Sequence, residues 1–368
     1  MKKILFVASV VKVHIMVFHL PYLKWLKDNG YEVHVAAKND YINKSDLNIP
    51  YCDKFHDIDF SRKPYSYKNI KAYFQLKEII KKEKFDLMHC HTPIGSAIGR
   101  LAAKEYKDPK LKVLYTAHGF HFYKGSSIIN WLLYYPLEYY LSNYTDVIFT
   151  INDEDYQVAK RMKANKNILI PGIGIDVNKI QENITINKRN CNDVITLISV
   201  GELNKNKNHR VVIESLANFT TKKFKYLICG EGPELESLKK LVTKYRLNDH
   251  VHFLGFRTNV LEIVSKADIF VFPSYREGLS VSLMESMALG LPVIASNIRG
   301  NRDLIDDMRG GILVNPDDSD DIYYALNKLI ENSEMRNQFG RYNQEKVKNY
   351  SLDNVIREVT NIYLKYLT

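Results

Sequence analysis

Short apolar runs alternate along the whole chain with stretches in which apolar positions recur every three or four residues. Runs at Ile4–Val10, Glu32–Ala37, Leu87–His91, Val113–Thr116 and Val147–Thr150 predict strands in the first half. Ile195–Val200, Tyr226–Cys229, Val251–Leu254, Ile269–Phe272 and Val293–Ala295 predict strands in the second. Helical spacing lies between them, at Tyr22–Asn29, Tyr67–Glu83, Ile94–Tyr106, Glu154–Met162, His209–Phe219, Glu234–Tyr245 and Leu279–Leu289. The strands are continuously apolar, so both faces of each sheet must be covered, which is the habit of parallel sheets flanked by helices. Two such halves predict two Rossmann-like, doubly wound α/β domains. The polar stretch ending at Asp193, after the turn-rich segment from Pro171 to Asp176, places the boundary between residues 1–185 and 186–350. Residues 351–368 form a last, amphipathic helix.

With 368 residues, 45% of them hydrophobic, the chain can bury two cores of ordinary size. Cys52, Cys90, Cys191 and Cys229 are scattered without a paired spacing, which fits a reducing cytoplasm and offers no metal framework. The apolar run after Lys2 and Lys3 is short and broken by Lys12, so it reads as a first strand and not as a signal peptide. Pro136, Glu138 and Asp146 interrupt the longest later apolar stretch, residues 128–151, which argues against a membrane span.

The net charge of +10 is uneven: residues 1–185 carry 27 basic against 19 acidic side chains, and the remainder 25 against 23. Between Lys54 and Lys84, lysines and Arg62 mix with Phe55, Phe60, Tyr65, Tyr67 and Tyr73. Such a face would attract an anionic membrane surface or a pyrophosphate-linked lipid; a solvated helix surface is the plainer reading. No nucleic-acid motif accompanies the charge, and nucleic acid is not expected as a partner.

Residues 272–304 concentrate the chemistry. A buried strand ends at Pro273, a loop carries Glu277 and Gly278, and a helix begins near Ser280 with Glu285 inside it. The first N–H groups of a helix have no intrahelical partner and, with the macrodipole, seat a diphosphate. Backbone at Gly278, Leu279 and Ser280 would hold it, with Glu277 and Glu285 bonding hydroxyls on either side. Those hydroxyls would belong to a sugar and to a ribose.

Glu277, seven intervening residues and Glu285, followed by Gly290-Leu-Pro-Val-Ile-Ala-Ser, resembles the C-terminal domain of family 4 GT-B-fold retaining glycosyltransferases (glycosyl transferases group 1), of the bacterial capsular and exopolysaccharide type. The resemblance implies a GT-B fold, two Rossmann-like domains facing a central cleft, with the terminal helix crossing back to the N-terminal domain. The N-terminal domain would bind acceptor and the C-terminal domain the nucleotide sugar. Gly201 to Lys207 resembles the family's Gly-Arg-Leu loop, whose cations hold the donor diphosphate; Gly230 and Gly232 resemble its glycine turn, and Gly255-Phe256-Arg257 the segment lining the base. Thr116-Ala-His118-Gly119-Phe-His121 resembles the loop whose histidine meets the transferred sugar. His118, Glu277 and Lys207 are thereby the expected catalytic set, and His14, His19, His91 and His121 the acceptor side.

Two departures stand out. Glu202 occupies the family's arginine position, and residues from Ser9 to His14 replace its glycine pair with what reads as a bulkier loop. Three Asp-x-Asp strings, at Asp57, Asp153 and Asp318, lack the setting of a nucleotide-bound metal, and His89 with His91 lacks further ligands at zinc-site spacing. No metal and no cofactor are expected. The resemblance implies transfer of a hexose or N-acetylhexosamine from a nucleoside diphosphate sugar, UDP foremost, to a hydroxyl of a lipid-pyrophosphate-linked oligosaccharide. It implies work in the cytoplasm at the inner face of the plasma membrane. A sugar-nucleotide 2-epimerase of the same fold and a non-catalytic nucleotide-sugar binder are the alternatives.

Overall fold

Seven parallel strands build the first sheet: β1 (Lys3–Val10), β2 (Glu32–Lys38), β3 (Lys54–Asp57), β4 (Leu87–Cys90), β5 (Lys112–Ala117), β6 (Val147–Thr150) and β7 (Lys166–Leu169), in the order β3-β2-β1-β4-β5-β6-β7. Six more build the second: β8 (Ile195–Val200), β9 (Phe224–Cys229), β10 (Val251–Gly255), β11 (Ile269–Phe272), β12 (Val293–Ser296) and β13 (Gly311–Val314), in the order β10-β9-β8-β11-β12-β13. This computed structural model describes residues 1–106, 108–182, 194–220 and 223–367. In both sheets the strand order reverses beside the first strand, between β1 and β4 and between β8 and β11. Open α/β sheets bind ligands at these switch points, beyond the carboxyl ends of the strands.

Central strands are buried on both faces, as their uninterrupted apolar runs require; β1 is interior from Ile4 to Val10. The strands absent from the sequence expectation, β3, β7 and β13, all lie at sheet edges. There one flank is open, and a polar sequence such as Lys54-Phe-His-Asp or Lys166-Asn-Ile-Leu suffices. In the first core Leu5, Val7, Met88, Tyr115 and Ile148 meet Leu76, Ile80 and Ala102 from flanking helices. Fully buried Arg100 is paired with Glu138 at 2.8 Å and lies 4.1 Å above the Tyr115 ring.

The chain divides into two compact units, Met1–Ile173 with Val355–Thr368, and Gly174–Asn354. The expected boundary at residue 185 lies in 183–193, outside the described residues. Helix Val177–Glu182, expected in the first domain, packs in the second unit, where Gln181 Nε2 donates to the Ala288 carbonyl at 3.5 Å and Ile175 N–H to that of Tyr350 at 3.1 Å. Helix Leu352–Leu367 starts in the second unit and from Val355 onward belongs to the first, burying Val355, Val359, Tyr363 and Leu367. Tyr363 hydroxyl and His89 Nδ1 lie 2.6 Å apart, joining this helix to β4.

One expectation is corrected. The segment after β1 is no bulky loop but a π-helix, Val11–His19, running directly into helix Leu20–Asp28. Pro21 lacks the N–H that an α-helix would bond four residues back, and the wider π turn precedes it. Helices Ile128–Ser142, Ser319–Glu331 and Ser333–Lys346 also exceed the expectation; Asp318 and Asn332 cap the last two. Among the described residues no helix is long and apolar enough to cross a membrane.

Candidate functional site

At the switch point of the second unit, the loops after β8 and β11 bring Lys207 and Glu277 together. Lys207 Nζ and Glu277 Oε1 lie 2.8 Å apart, both side chains largely shielded, with the ammonium 4.6 Å above the Phe272 ring. The Lys207 N–H is held by Asn204 Oδ1, and Asn206 Nδ2 donates to the Arg276 carbonyl at 3.0 Å, so the two loops are tied through backbone as well. Helix Val281–Ala288 follows, with Ser280 as its cap: Ser280 Oγ accepts from Leu283 N–H. The preceding N–H groups of that first turn lack intrahelical acceptors and can meet an anion. Glu285 lies one turn into the helix, where burial pushes its carboxyl up to about 7.

The adjacent loops, after β9 and β10, complete a continuous rim at the carboxyl end of the sheet. Glycine at 230 and 232 has a packing reason. A Cβ on Gly230 would stand 1.9 Å from the Gly201 carbonyl oxygen, and one on Gly232 2.4 Å from that of Leu203. These glycines let the loops stack on each other. Phe256 is 73% exposed and presents a bare ring at this rim; its N–H is held by Glu231 Oε1 at 3.3 Å. Arg257 is also exposed, close enough to Cys229 at the end of β9 for its charge to act on the thiol. At the family's arginine position, Glu202 is exposed and takes a hydrogen bond from Asn204 Nδ2. Sequence reasoning missed Gly300 (φ 77°), where a Cβ would stand 2.0 Å from the Gly278 carbonyl oxygen, and buried Arg299 before it.

The first unit carries a second constellation at its own switch point. His14 and His19 come from the π-helix after β1, His91 follows β4 and His118 follows β5. One ring nitrogen from each lies within 4.8 Å of those of all the others. Burial pushes His14 down to about 3 and His118 to about 4, and holds His19 and His91 well below the ordinary imidazole value, so all four are neutral near pH 7. His91 therefore has the partners that zinc-site spacing in the sequence does not reveal. His121 stands apart from these four, its ring 4.9 Å from Tyr134. It shares with His14, Arg62 and Thr92 a cavity of about 400 Å³.

The Asp-x-Asp strings serve the fold. Asp59 is paired with Lys38 and Lys68, Asp155 accepts from the Phe120 N–H, and Asp318 caps a helix.

Against known proteins, the family Glycosyl transferases group 1 matches residues 181–346 and the family Glycosyl transferase 4-like matches residues 3–152. EpsD of Bacillus subtilis (strain 168), named as a glycosyltransferase, is 37% identical over 100% of this chain and 97% of its own. The UDP-Gal:alpha-D-GlcNAc-diphosphoundecaprenol alpha-1,3-galactosyltransferase of Escherichia coli is 27% identical over 81% of this chain and 80% of its own. Among solved structures, Anabaena Alr3699/HepE in complex with UDP superimposes with a TM-score of 0.78 over 99% of this chain and 100% of that one, at 17% identity. Two doubly wound parallel sheets, two family matches that together span most of the sequence and a full-length relative agree: the chain belongs to the group 1 glycosyltransferases of family 4, with the GT-B fold.

Proposed function

We propose that the protein transfers a hexose or N-acetylhexosamine, with retention, from a UDP-sugar to a hydroxyl of a lipid-pyrophosphate-linked saccharide. The observation that carries this reading is the Lys207–Glu277 pair at the mouth of helix Val281–Ala288, with Glu285 one turn inside. A donor diphosphate seated on that helix start draws Lys207 to its oxygens, which frees Glu277 for the sugar hydroxyls and leaves Glu285 to the ribose. Lys207 and the first-turn N–H groups then oppose the charge that grows on the leaving diphosphate. Donor binding needs no divalent ion on this account, since an ammonium and a helix terminus supply the positive field. The bond from the anomeric carbon to phosphate breaks, the bond to the acceptor oxygen forms on the same face, and the acceptor proton passes to the departing phosphate oxygen.

The acceptor assignment draws on the diphosphoundecaprenol-linked substrate named for the Escherichia coli relative. The cavity of the first unit supports it, since Arg62, Thr92 and His121 on its wall offer a cation and polar groups to such an acceptor. Two exposed apolar faces suit a lipid surface: Ile128, Ile129 and Leu132 on one helix, and Tyr67, Ile70 and Phe74 on another. Tyr134, on the first of these helices, lies on the cavity wall, as does Arg62. Lys54 and Lys68 of the basic segment are paired with Glu83 and Asp59, so apolar contact carries more of the membrane reading than net charge does.

The test is mass spectrometry of the protein incubated with a panel of nucleotide sugars and a bacterial membrane fraction. Release of one nucleoside diphosphate with a one-sugar mass gain on a lipid is expected, reduced roughly 10²–10³-fold in Glu277→Ala. An epimerised nucleotide sugar with no transfer overturns the reading.

A further inference from the structure

We propose that His14, His19, His91 and His118 form a binding site for a single transition-metal ion of the zinc(II) class inside the first unit. The first reason is unmet bonding. His89, in the same cluster, spends both ring nitrogens, Nδ1 on the Tyr363 hydroxyl at 2.6 Å and Nε2 on Thr116 at 2.8 Å. Its neighbours do not: His14 Nε2, both nitrogens of His19 and His91 Nε2 are buried without a hydrogen-bond partner. Leaving a buried polar atom unpaired costs about 1–3 kcal/mol each, and a single cation would satisfy His14 Nε2 and one nitrogen of His19.

Chain geometry is the second reason. In an α-helix, residues five apart sit about 140° from each other around the axis and cannot share a ligand. The π-helix Val11–His19 has a wider turn, and it places the rings of His14 and His19 with centroids 4.8 Å apart. The His91 ring centroid lies 3.9 Å from that of His19, with the rings tilted by 35°, and His91 Nδ1 stands 3.5 Å from His118 Nε2. Nitrogens around a tetrahedral zinc at ~2.0–2.1 Å are about 3.4 Å apart, so this last pair already has the required separation, and the remaining ligand atoms all lie within 4.8 Å of one another.

Ligand chemistry is the third. Burial, joined for His14, His19 and His91 by repulsion from neighbouring imidazoles, keeps all four neutral, which is the form that ligates. Four neutral nitrogens with no carboxylate among them select zinc, cobalt, nickel or copper over magnesium and calcium.

Cobalt(II) is the probe. Untagged full-length protein, stripped with a chelator, is titrated with Co(II) and followed by visible absorption and by calorimetry. One equivalent is expected to bind with the intense d–d bands of a tetrahedral site, to be displaced by Zn(II), and to raise the unfolding temperature. His14→Ala and His118→Ala, folded by circular dichroism, are each expected to weaken uptake at least tenfold. Absence of stoichiometric Co(II) uptake, or uptake unchanged in both folded variants, overturns the proposal. Should a variant fail to fold, the wild-type spectrum decides, because the weak bands of an octahedral ion also overturn it.

Discussion

Two switch points of one strand order have been filled with opposite chemistry. In the second unit the loops after β8 and β11 carry opposite charges, Lys207 and Glu277, paired at 2.8 Å beside a helix start. In the first, the segments after β1, β4 and β5 carry four neutral imidazoles, with four of their ring nitrogens buried without a hydrogen-bond partner. One site is a polarised seat for an anion; the other is a cluster of lone pairs. Strand order determines where a ligand can approach, and the side chains that follow each strand decide what that ligand is.

The contrast has a pH signature of opposite sign. His14, His19, His91 and His118 have depressed values, so below about 6.5 the unfolded chain binds protons that the folded chain refuses. Stability is expected to fall as pH drops from 6.5 toward the folded values of about 3 for His14 and about 4 for His118. Each contributes several kcal/mol, because every tenfold loss of proton affinity on folding is worth roughly 1.4 kcal/mol. Urea midpoints across this window check it, with His14→Gln expected to flatten the acid limb. Glu285 is raised from 4.5 to about 7, so its share of stability is present below 4.5 and lost as pH rises through 7. That loss amounts to about 3 kcal/mol, and Glu285→Gln should remove it, stabilising the donor-free protein above pH 7 while weakening donor use. An unchanged midpoint in either variant would erase the distinction between the sites.

Lys207→Ala comes next in size. Removing a charge-assisted bond to phosphate costs about 1.5–3 kcal/mol, so kcat/KM for donor should drop roughly 10- to 100-fold. Kinetics like those of wild type would move the diphosphate-binding cation elsewhere, with Arg257 and Arg299 the next to substitute. The smallest effect belongs to the surface: Ile129→Ser with Leu132→Ser should cut flotation with anionic lipid vesicles several-fold while leaving the fold intact. Equal flotation of variant and wild type would remove these residues from the membrane face.

Legibility in the sequence follows the same divide. The second site lies largely within one short segment, residues 277–285, with Lys207 in a glycine-led loop, so local pattern is enough to find it. Interior strands are equally plain, because burial on both faces demands an unbroken apolar run. Edge strands β3, β7 and β13 escape because one open flank relaxes that demand. Polar helices such as Ser333–Lys346 escape because little of their surface is buried. The histidine cluster escapes for a stronger reason. Its members span residues 14 to 118, and the pair within one element is five apart, a spacing that favours contact only in a π-helix.

Helix Leu352–Leu367 sets an order of assembly. Domains usually close from the N-terminus as the ribosome delivers them. Here the second unit, Gly174–Asn354, is complete before the first has received the segment that begins at Val355. Until that segment leaves the exit tunnel, the nascent first unit lacks the hydroxyl of Tyr363, and His89 lacks a partner for Nδ1. Translation thus finishes the middle of the polypeptide before its beginning, and a premature stop near codon 354 would spare the donor-side unit while leaving the earlier-made one unfinished.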